Sequence, residues 1–249
     1  MFSTRILILA SLSALLSSES PARARQDASD DTAKPKVELV APVLLQGEER
    51  ERFFTEVEKK MSAIKSVGAT FSQEKRLALF KEPLISSGLI LVSPPDQLRW
   101  EFRKPFRSVL IVSGDRVAKF EHEKDHWRKV KQGRQADAVL IVMDNVRSWF
   151  RGEFDPKGGK FEVDVARVPK PLIVMRPKDK MLSRTLSAVE LTLAADFTHV
   201  VRVTIREKSG DKTEMNFTRL KTKDEQPMPT ELFDLEKVVE AKLEELEDR

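Results

Sequence analysis

From Ala69 to Leu220 the chain repeats one pattern about ten times: a short run with apolar residues at alternate positions, closed by a turn signal. Ala69, Phe71 and Gln73 share one parity. Leu84 to Val92 is rich in β-formers and holds Gly88. Leu98, Trp100 and Phe102 fall on one face, and Arg99, Glu101 and Arg103 on the other. Successive side chains of a strand point to opposite faces, so this alternation specifies strands. Val109 to Val112 leads into Ser113-Gly114-Asp115, and Val117 to Phe120 returns. Trp127 and Val130 mark a further short strand. Phe161, Val163 and Val165 alternate with Glu162, Asp164 and Ala166. Leu172 to Met175, Ala188 to Leu193, Val200 to Ile205 and Met215 to Leu220 complete the set, the last two joined by Ser209-Gly210-Asp211. Strands joined by turns this short pair antiparallel, because a parallel pair needs a long crossover.

Helical periodicity interrupts the meander. From Glu48, apolar residues at Phe53, Phe54, Val57, Met61, Ile64 and Val67 recur at three- and four-residue steps, and Gly68 is a plausible stop. Val139, Val142, Met143, Val146, Trp149 and Phe150 form a second stripe that ends before Gly152. After Phe233 a charged segment, Leu235 to Arg249, carries a thin apolar stripe of Leu235, Val238, Val239 and Leu243 and predicts a helical tail. One N-terminal helix cannot cover so large a sheet. The sheet must roll up, pair with a second sheet or stay partly open. A rolled sheet with a helix across its mouth encloses an apolar cavity. The residues alone therefore predict a mainly β (α+β) fold, an antiparallel sheet with an N-terminal helix, and leave these three forms open.

Composition narrows the chemistry. The chain has no cysteine, which removes thiolate catalysis, disulfides, cysteine zinc sites and a lipidated N-terminal cysteine. Forty-four basic and forty acidic side chains leave a net charge of +4. That balance calls for no nucleic-acid partner and allows weak attraction to anionic membrane surfaces. At the N-terminus, Arg5 precedes an apolar run from Ile6 to Leu16, and Ala22-Arg23-Ala24 offers small residues at a cleavage site. This predicts a secretory signal peptide over residues 1–24 and hence export. Residues 25–47 are polar with Pro35 and Pro42 and predict a flexible linker.

Two motifs suggest catalysis. His122-Glu123-Lys124-Asp125-His126 fits the zinc peptidase pattern, which needs a helix to bring both histidines to one metal. The segment sits between two strands and predicts a hairpin turn with exposed histidines. Ser62-Ala63-Ile64-Lys65 matches S-x-x-K, but its partner motifs S-D-N and K-T-G are missing. Neither supplies a catalytic site, so the expectation is a binding protein with no catalytic residues, cofactor or metal.

The order of several further elements resembles a known family. The N-terminal helix leads into Phe71-Ser72-Gln73 and then the glycine strand Ser87-Gly88-Leu89-Ile90-Leu91. Pro94-Pro95-Asp96-Gln97-Leu98-Arg99-Trp100, Pro105 and the Ser113-Gly114-Asp115 turn follow. Leu191-Thr192-Leu193, the Gly210 hairpin and Met228-Pro229 before Phe233 continue the likeness over residues 48–235. This resembles the outer-membrane lipoprotein carriers, the LolA-like family. The resemblance implies a half-open antiparallel β-barrel, with an N-terminal helix and a lid helix over an apolar cavity. It further implies a monomeric periplasmic carrier that takes acyl chains of lipoproteins or lipids from an inner-membrane transporter to an outer-membrane acceptor. It equally allows an accessory to another lipid exporter, or a lipid-sensing regulatory module of the same fold. The implied acyl-chain lining is Phe71, Leu89, Leu91, Leu98, Trp100 and Phe102 on the sheet, with Met143, Val146, Trp149 and Phe150 on the lid. Ile90 and Val92 are as apolar as Leu89 and Leu91, so the parity of that strand is open. Arg99, Arg103, Lys104 and Arg107 are expected on a solvated outer face. Carriers of the proteobacterial type commonly have an arginine before the proline that opens the tryptophan strand, where it ties down the lid. Here that stretch is Ser93-Pro94.

Overall fold

The computed structural model describes residues 43–241, apart from residues 65, 94, 132–144, 150–151, 155–158, 160, 168–169 and 224–227, and residues 219–223 by backbone alone. The predicted signal peptide, most of the predicted linker and residues 242–249 lie outside the described residues.

Helix α1 spans Gly47–Ser62. Eleven strands follow: β1 Ser66–Arg76, β2 Leu84–Ser93, β3 Gln97–Lys104, β4 Ser108–Ser113, β5 Arg116–Glu123, β6 His126–Val130, β7 Phe161–Ala166, β8 Leu172–Pro177, β9 Leu186–Leu193, β10 Val200–Glu207 and β11 Lys212–Lys223. Residues 145–149 are helical, between β6 and β7. The strands form one antiparallel sheet in the order β6-β5-β4-β3-β2-β1-β11-β10-β9-β8-β7. The meander is thus two runs of neighbours, closed at the centre by β1 against β11, with Phe71 opposite Phe217. Strands β6 and β7 are the two edges, so the sheet is open.

The sheet is also strongly curved. Trp100 on β3 and Val203 on β10 line one cavity. Four strand spacings separate them, about 19 Å on a flat sheet. Only a rolled sheet brings both side chains to one small space. The architecture is mainly β and antiparallel, as the alternation predicts, and consistent with the half-open barrel that the resemblance implies.

Helix α1 ends earlier than its apolar stripe suggests. It stops at Ser62, and Val67 already belongs to β1. Val67, Ala69 and Phe71 alternate, and once that parity carries the burial the period-two pattern wins over the helical one. Gly68 is no helix stop. It lies beside a register shift between β1 and β11, the usual place for a glycine inside a strand. Residues 43–46 also depart from expectation. Instead of a loose linker, Leu44 bridges to Ala166 and the Leu45 N–H donates to the Val165 carbonyl on β7.

The predicted tail helix is not formed where it is described. Met228, Leu232, Phe233 and Ala241 pack on the convex face of the sheet in an irregular segment with one short 3-10 turn, Thr230–Phe233. Their partners are Leu89 and Leu91 of β2, Val109 and Ile111 of β4, and Ala118 and Phe120 of β5. This cover corrects the reading of the basic residues on β3. Arg99 is fully buried, held by Glu101 Oε2 at 2.7 Å and by the Leu232 carbonyl at 3.1 Å. Arg103 donates to Glu101 Oε1 at 2.9 Å and to the Ala241 carbonyl, and Arg107 donates to Glu240 at 2.7 Å. Arg103 and Lys104 are exposed as expected and Arg107 is half-buried, but of the three only Lys104 makes no ion pair among the described residues.

Two predictions follow from this packing. A Cβ on Gly88 would stand 1.8 Å from the Glu101 carbonyl oxygen and 2.9 Å from the Phe71 ring. Gly88→Ala must therefore shift β3 backbone, and a thermal melt should show a loss of about 1–3 kcal/mol. Glu101→Leu leaves the buried Arg99 and its neighbour Arg103 without their carboxylate. Denaturant titration should show a loss of about 3–5 kcal/mol, far more than for an exposed pair such as Arg52–Glu48.

Candidate acyl-chain site

The concave face is apolar row by row because each residue's cross-strand partners share its parity. Ile90, Trp100 and Leu110 form one row, and Val92, Leu98 and Val112 the next. Phe102 stands opposite Gly88, and the Phe71 ring fills the space that the glycine leaves. Phe71 meets Trp100 and Phe102 edge-on at 5.9 and 5.3 Å between ring centroids, while Trp100 stacks on Phe102 at 6.4 Å. Edge-on and offset pairs of this kind add to the burial of the rings themselves.

Helices close this face. Phe53, Val57 and Met61 of α1 are buried in the same core cluster as Phe71, Leu98, Trp100 and Phe102. Val146 and Trp149, on the helical residues 145–149, join it. Between them remains an apolar cavity of about 20 Å³, room for about one water, lined by Ile90, Trp100, Val146, Trp149, Val200, Val203, Met215 and Phe217. The Trp100 Nε1–H is buried with no acceptor among the described residues.

The structure therefore gathers six of the ten residues expected to line the site: Phe71, Leu98, Trp100, Phe102, Val146 and Trp149. Leu89 and Leu91 are a correction. They point to the convex face, under Met228, Leu232 and Phe233, and Ile90 and Val92 take the concave positions. Pairing with Trp100 and Leu98 fixes that parity. Met143 and Phe150 lie outside the described residues. The alternation had also passed over Val200, Val203, Met215 and Phe217, which come from the far half of the sheet and reach the cavity through its curvature.

The closing elements are held by polar contacts at one end of the sheet. Arg147 donates to the Asp96 carbonyl at 2.7 Å and to the Gly114 carbonyl at 3.2 Å, so the short helix is tied to the β2–β3 and β4–β5 turns. The tie that the family resemblance expects from an arginine on the sheet is here made from the helix side. Gly152 ends that helix with φ +79°, its N–H bonded to the Trp149 carbonyl at 3.2 Å. A Cβ there would lie 3.0 Å from Glu58 Cα, so the helix end sits directly on α1. Helix α1 is tied by Arg50 to the Val163 carbonyl at 3.2 Å and by Glu56 to Arg167 at 3.0 Å.

The β9–β10 loop wedges beneath α1. Phe197, at φ +61°, meets the Phe53 ring at 5.3 Å, and Arg167 and Lys60 lie over its ring. Next to it, burial lowers the His199 pKa below its usual 6.5, partly opposed by the charge of Asp196.

The histidine motif makes no site. His122 pairs with Trp127 and Glu123 with His126 across the β5–β6 hairpin, so the two histidines project to opposite faces. They cannot meet at one metal. Among the described residues no cluster of three metal-ligating side chains occurs.

Comparison with known proteins bears on this geometry. The model of the family described as "Outer membrane lipoprotein carrier protein LolA" matches residues 62–236. The chain belongs to the LolA family. A curated relative, the outer-membrane lipoprotein carrier protein of Xanthomonas oryzae pv. oryzae (strain MAFF 311018), is 29% identical over 83 residues. That match covers 33% of this chain and 40% of the relative. Among solved structures, a LolA superfamily protein from Nitrosomonas europaea is similar at 8% identity and a TM-score of 0.38, covering 74% of this chain and 96% of that one. The MucA/MucB complex of Pseudomonas aeruginosa is similar at 16% identity and a TM-score of 0.38, covering 73% and 60%. In this LolA family member, β1 through β11 fall within the matched segment and most of α1 precedes it. Among the described residues no helix is long and apolar enough to cross a membrane.

The wedge under α1 generates a pH prediction. The folded chain favours neutral His199, and the unfolded chain binds a proton at the ordinary value. Stability is therefore complete above about pH 6.5 and declines as pH falls below it. The thermal midpoint should drop between pH 7 and 5, and His199→Gln should remove that part of the drop.

Proposed function

We propose that this chain is an exported, non-catalytic carrier of acyl chains, which takes lipoproteins or lipids across the periplasm from an inner-membrane donor to an outer-membrane acceptor. The observation that carries the reading is the concave face around Trp100: apolar apart from the buried indole N–H, with a small cavity left beneath α1 and the helical residues 145–149. The family membership supports the same reading, since its description names a lipoprotein carrier.

The mechanism is burial. Each acyl CH₂ withdrawn from water contributes about 0.8 kcal/mol. The closed cavity holds about one water, so cargo enters only when α1 or the helix of Val146 and Trp149 swings out. The acyl chain then replaces Val146 and Trp149 against Trp100, Leu98 and Phe102, one apolar contact for another. That exchange keeps loading near balance and lets an acceptor take the cargo back out. An ester or amide carbonyl of the cargo gives the Trp100 Nε1–H an acceptor. Arg147 sets the frequency of opening, because its bonds to the Asp96 and Gly114 carbonyls must break first.

Protein purified from the periplasm without detergent should carry lipid or lipoprotein in native mass spectrometry, and Trp100→Glu should lose it. Arg147→Met leaves the apolar face intact and should speed uptake and release of a fluorescent fatty acid about tenfold or more, in line with the loss of both charge-assisted hydrogen bonds. A folded wild-type protein that takes up neither fatty acid nor lipoprotein would sink the proposal.

A further inference from the structure

Among the described residues, six of the eight exposed large apolar side chains gather at one end of the sheet. Leu79 and Phe80 belong to the β1–β2 connection, Leu84 and Ile85 to the start of β2, Phe106 to the β3–β4 turn and Met181 to the β8–β9 loop, and each is more than half exposed. The register puts these loops on one rim. Arg76 pairs with Lys212, Ser87 with Lys104, and Glu207 with Leu186, so all three connections leave the same edge. Arg147 and the wedge under α1 lie at the opposite end, at the Gly114 turn and the β9–β10 loop.

The display is built. The Phe80 N–H donates to the Leu77 carbonyl at 3.0 Å, which folds residues 77–80 into a turn. The Ala78 N–H donates to Asp211 Oδ1 at 2.8 Å, which fastens that turn to the neighbouring β10–β11 hairpin. Leu79, 93% exposed, is thereby pointed into water by its own backbone. Exposed apolar side chains gathered on one rim in this way mark an interaction surface.

Charge identifies the occupant. The five loops of this rim, residues 77–85, 104–107, 124–125, 177–185 and 208–211, hold eight basic and four acidic side chains. Their net charge of +4 equals that of the whole chain, so the rest of the protein is balanced. Lys81, Lys104, Lys178, Lys180 and Lys208 are exposed and make no ion pair among the described residues. Exposed leucine and phenylalanine on a rim that also carries these lysines match a bilayer interface: acyl tails take the apolar tips and anionic headgroups take the ammonium groups.

We infer that this rim docks the protein on anionic membrane surfaces, with Leu79 and Phe80 inserted among the headgroups. The inference deepens the carrier reading by placing the exchange of cargo at the membrane, and it rests on that reading only for this consequence. Docking at this end leaves the tied end of the cover helices pointing away from the bilayer, accessible to a partner.

Co-sedimentation with vesicles tests it. The purified protein should bind phosphatidylglycerol-rich vesicles at low salt, bind phosphatidylcholine vesicles weakly, and release as salt rises. Leu79→Glu with Phe80→Glu should lower partitioning about tenfold or more, and so should Lys178→Glu with Lys180→Glu. All four positions are exposed, so unchanged circular dichroism should confirm that the fold survives. Absence of vesicle binding at low salt overturns the inference and points to a protein partner. Equal binding to both lipids, or binding that neither variant weakens, also overturns it. Fatty-acid uptake measured on the same samples separates the two proposals. Missing uptake in wild type counts against the carrier, whereas intact uptake without vesicle binding counts against the rim.

Discussion

A single curved sheet with apolar residues on both faces must find cover twice, and the rest of this structure depends on how that is done. On the concave side, α1 and the helical residues 145–149 supply Phe53, Val57, Met61, Val146 and Trp149. On the convex side an irregular segment after β11 supplies Met228, Leu232, Phe233 and Ala241 over β2 to β5. The two covers differ in kind. Around Trp100 the concave cover meets apolar side chains, with the indole N–H the polar group buried there. The convex cover is riveted by Arg99, fully buried between Leu91 and Ile111 and bonded to Glu101 and to the Leu232 carbonyl. Removing a partner from a buried ion pair is expensive, so the convex cover is the permanent one. Apolar contact is exchangeable for other apolar contact, so the concave cover is the replaceable one.

Much of this was legible in the residues. Strands follow from period-two alternation, their antiparallel pairing from turns such as Ser113-Gly114-Asp115, and α1 from the spacing of Phe53, Val57 and Met61. The face of β3 was also legible, since Leu98, Trp100 and Phe102 alternate with charge. What failed did so for a physical reason in each case. Leu89 to Val92 are all apolar because β2 is buried on both faces, and a strand without alternation does not declare its parity. Arg99 alternates with apolar neighbours as a solvent-facing residue would. Only the return of the chain more than 130 residues later buries it, and no local pattern encodes that contact. Val203 and Met215 join Trp100 only because the sheet rolls. The zinc-like histidine spacing has the same lesson in reverse: a motif that suits a helix means nothing on a hairpin.

The contacts of Arg147 have a wider consequence. Its guanidinium donates to two main-chain carbonyls. Every residue offers the chain a carbonyl, so these two bonds are indifferent to which side chains occupy the turns at Asp96 and Gly114. Those positions can drift without loosening them. A partner can release these bonds by pulling the helix away, or by offering the guanidinium a better acceptor.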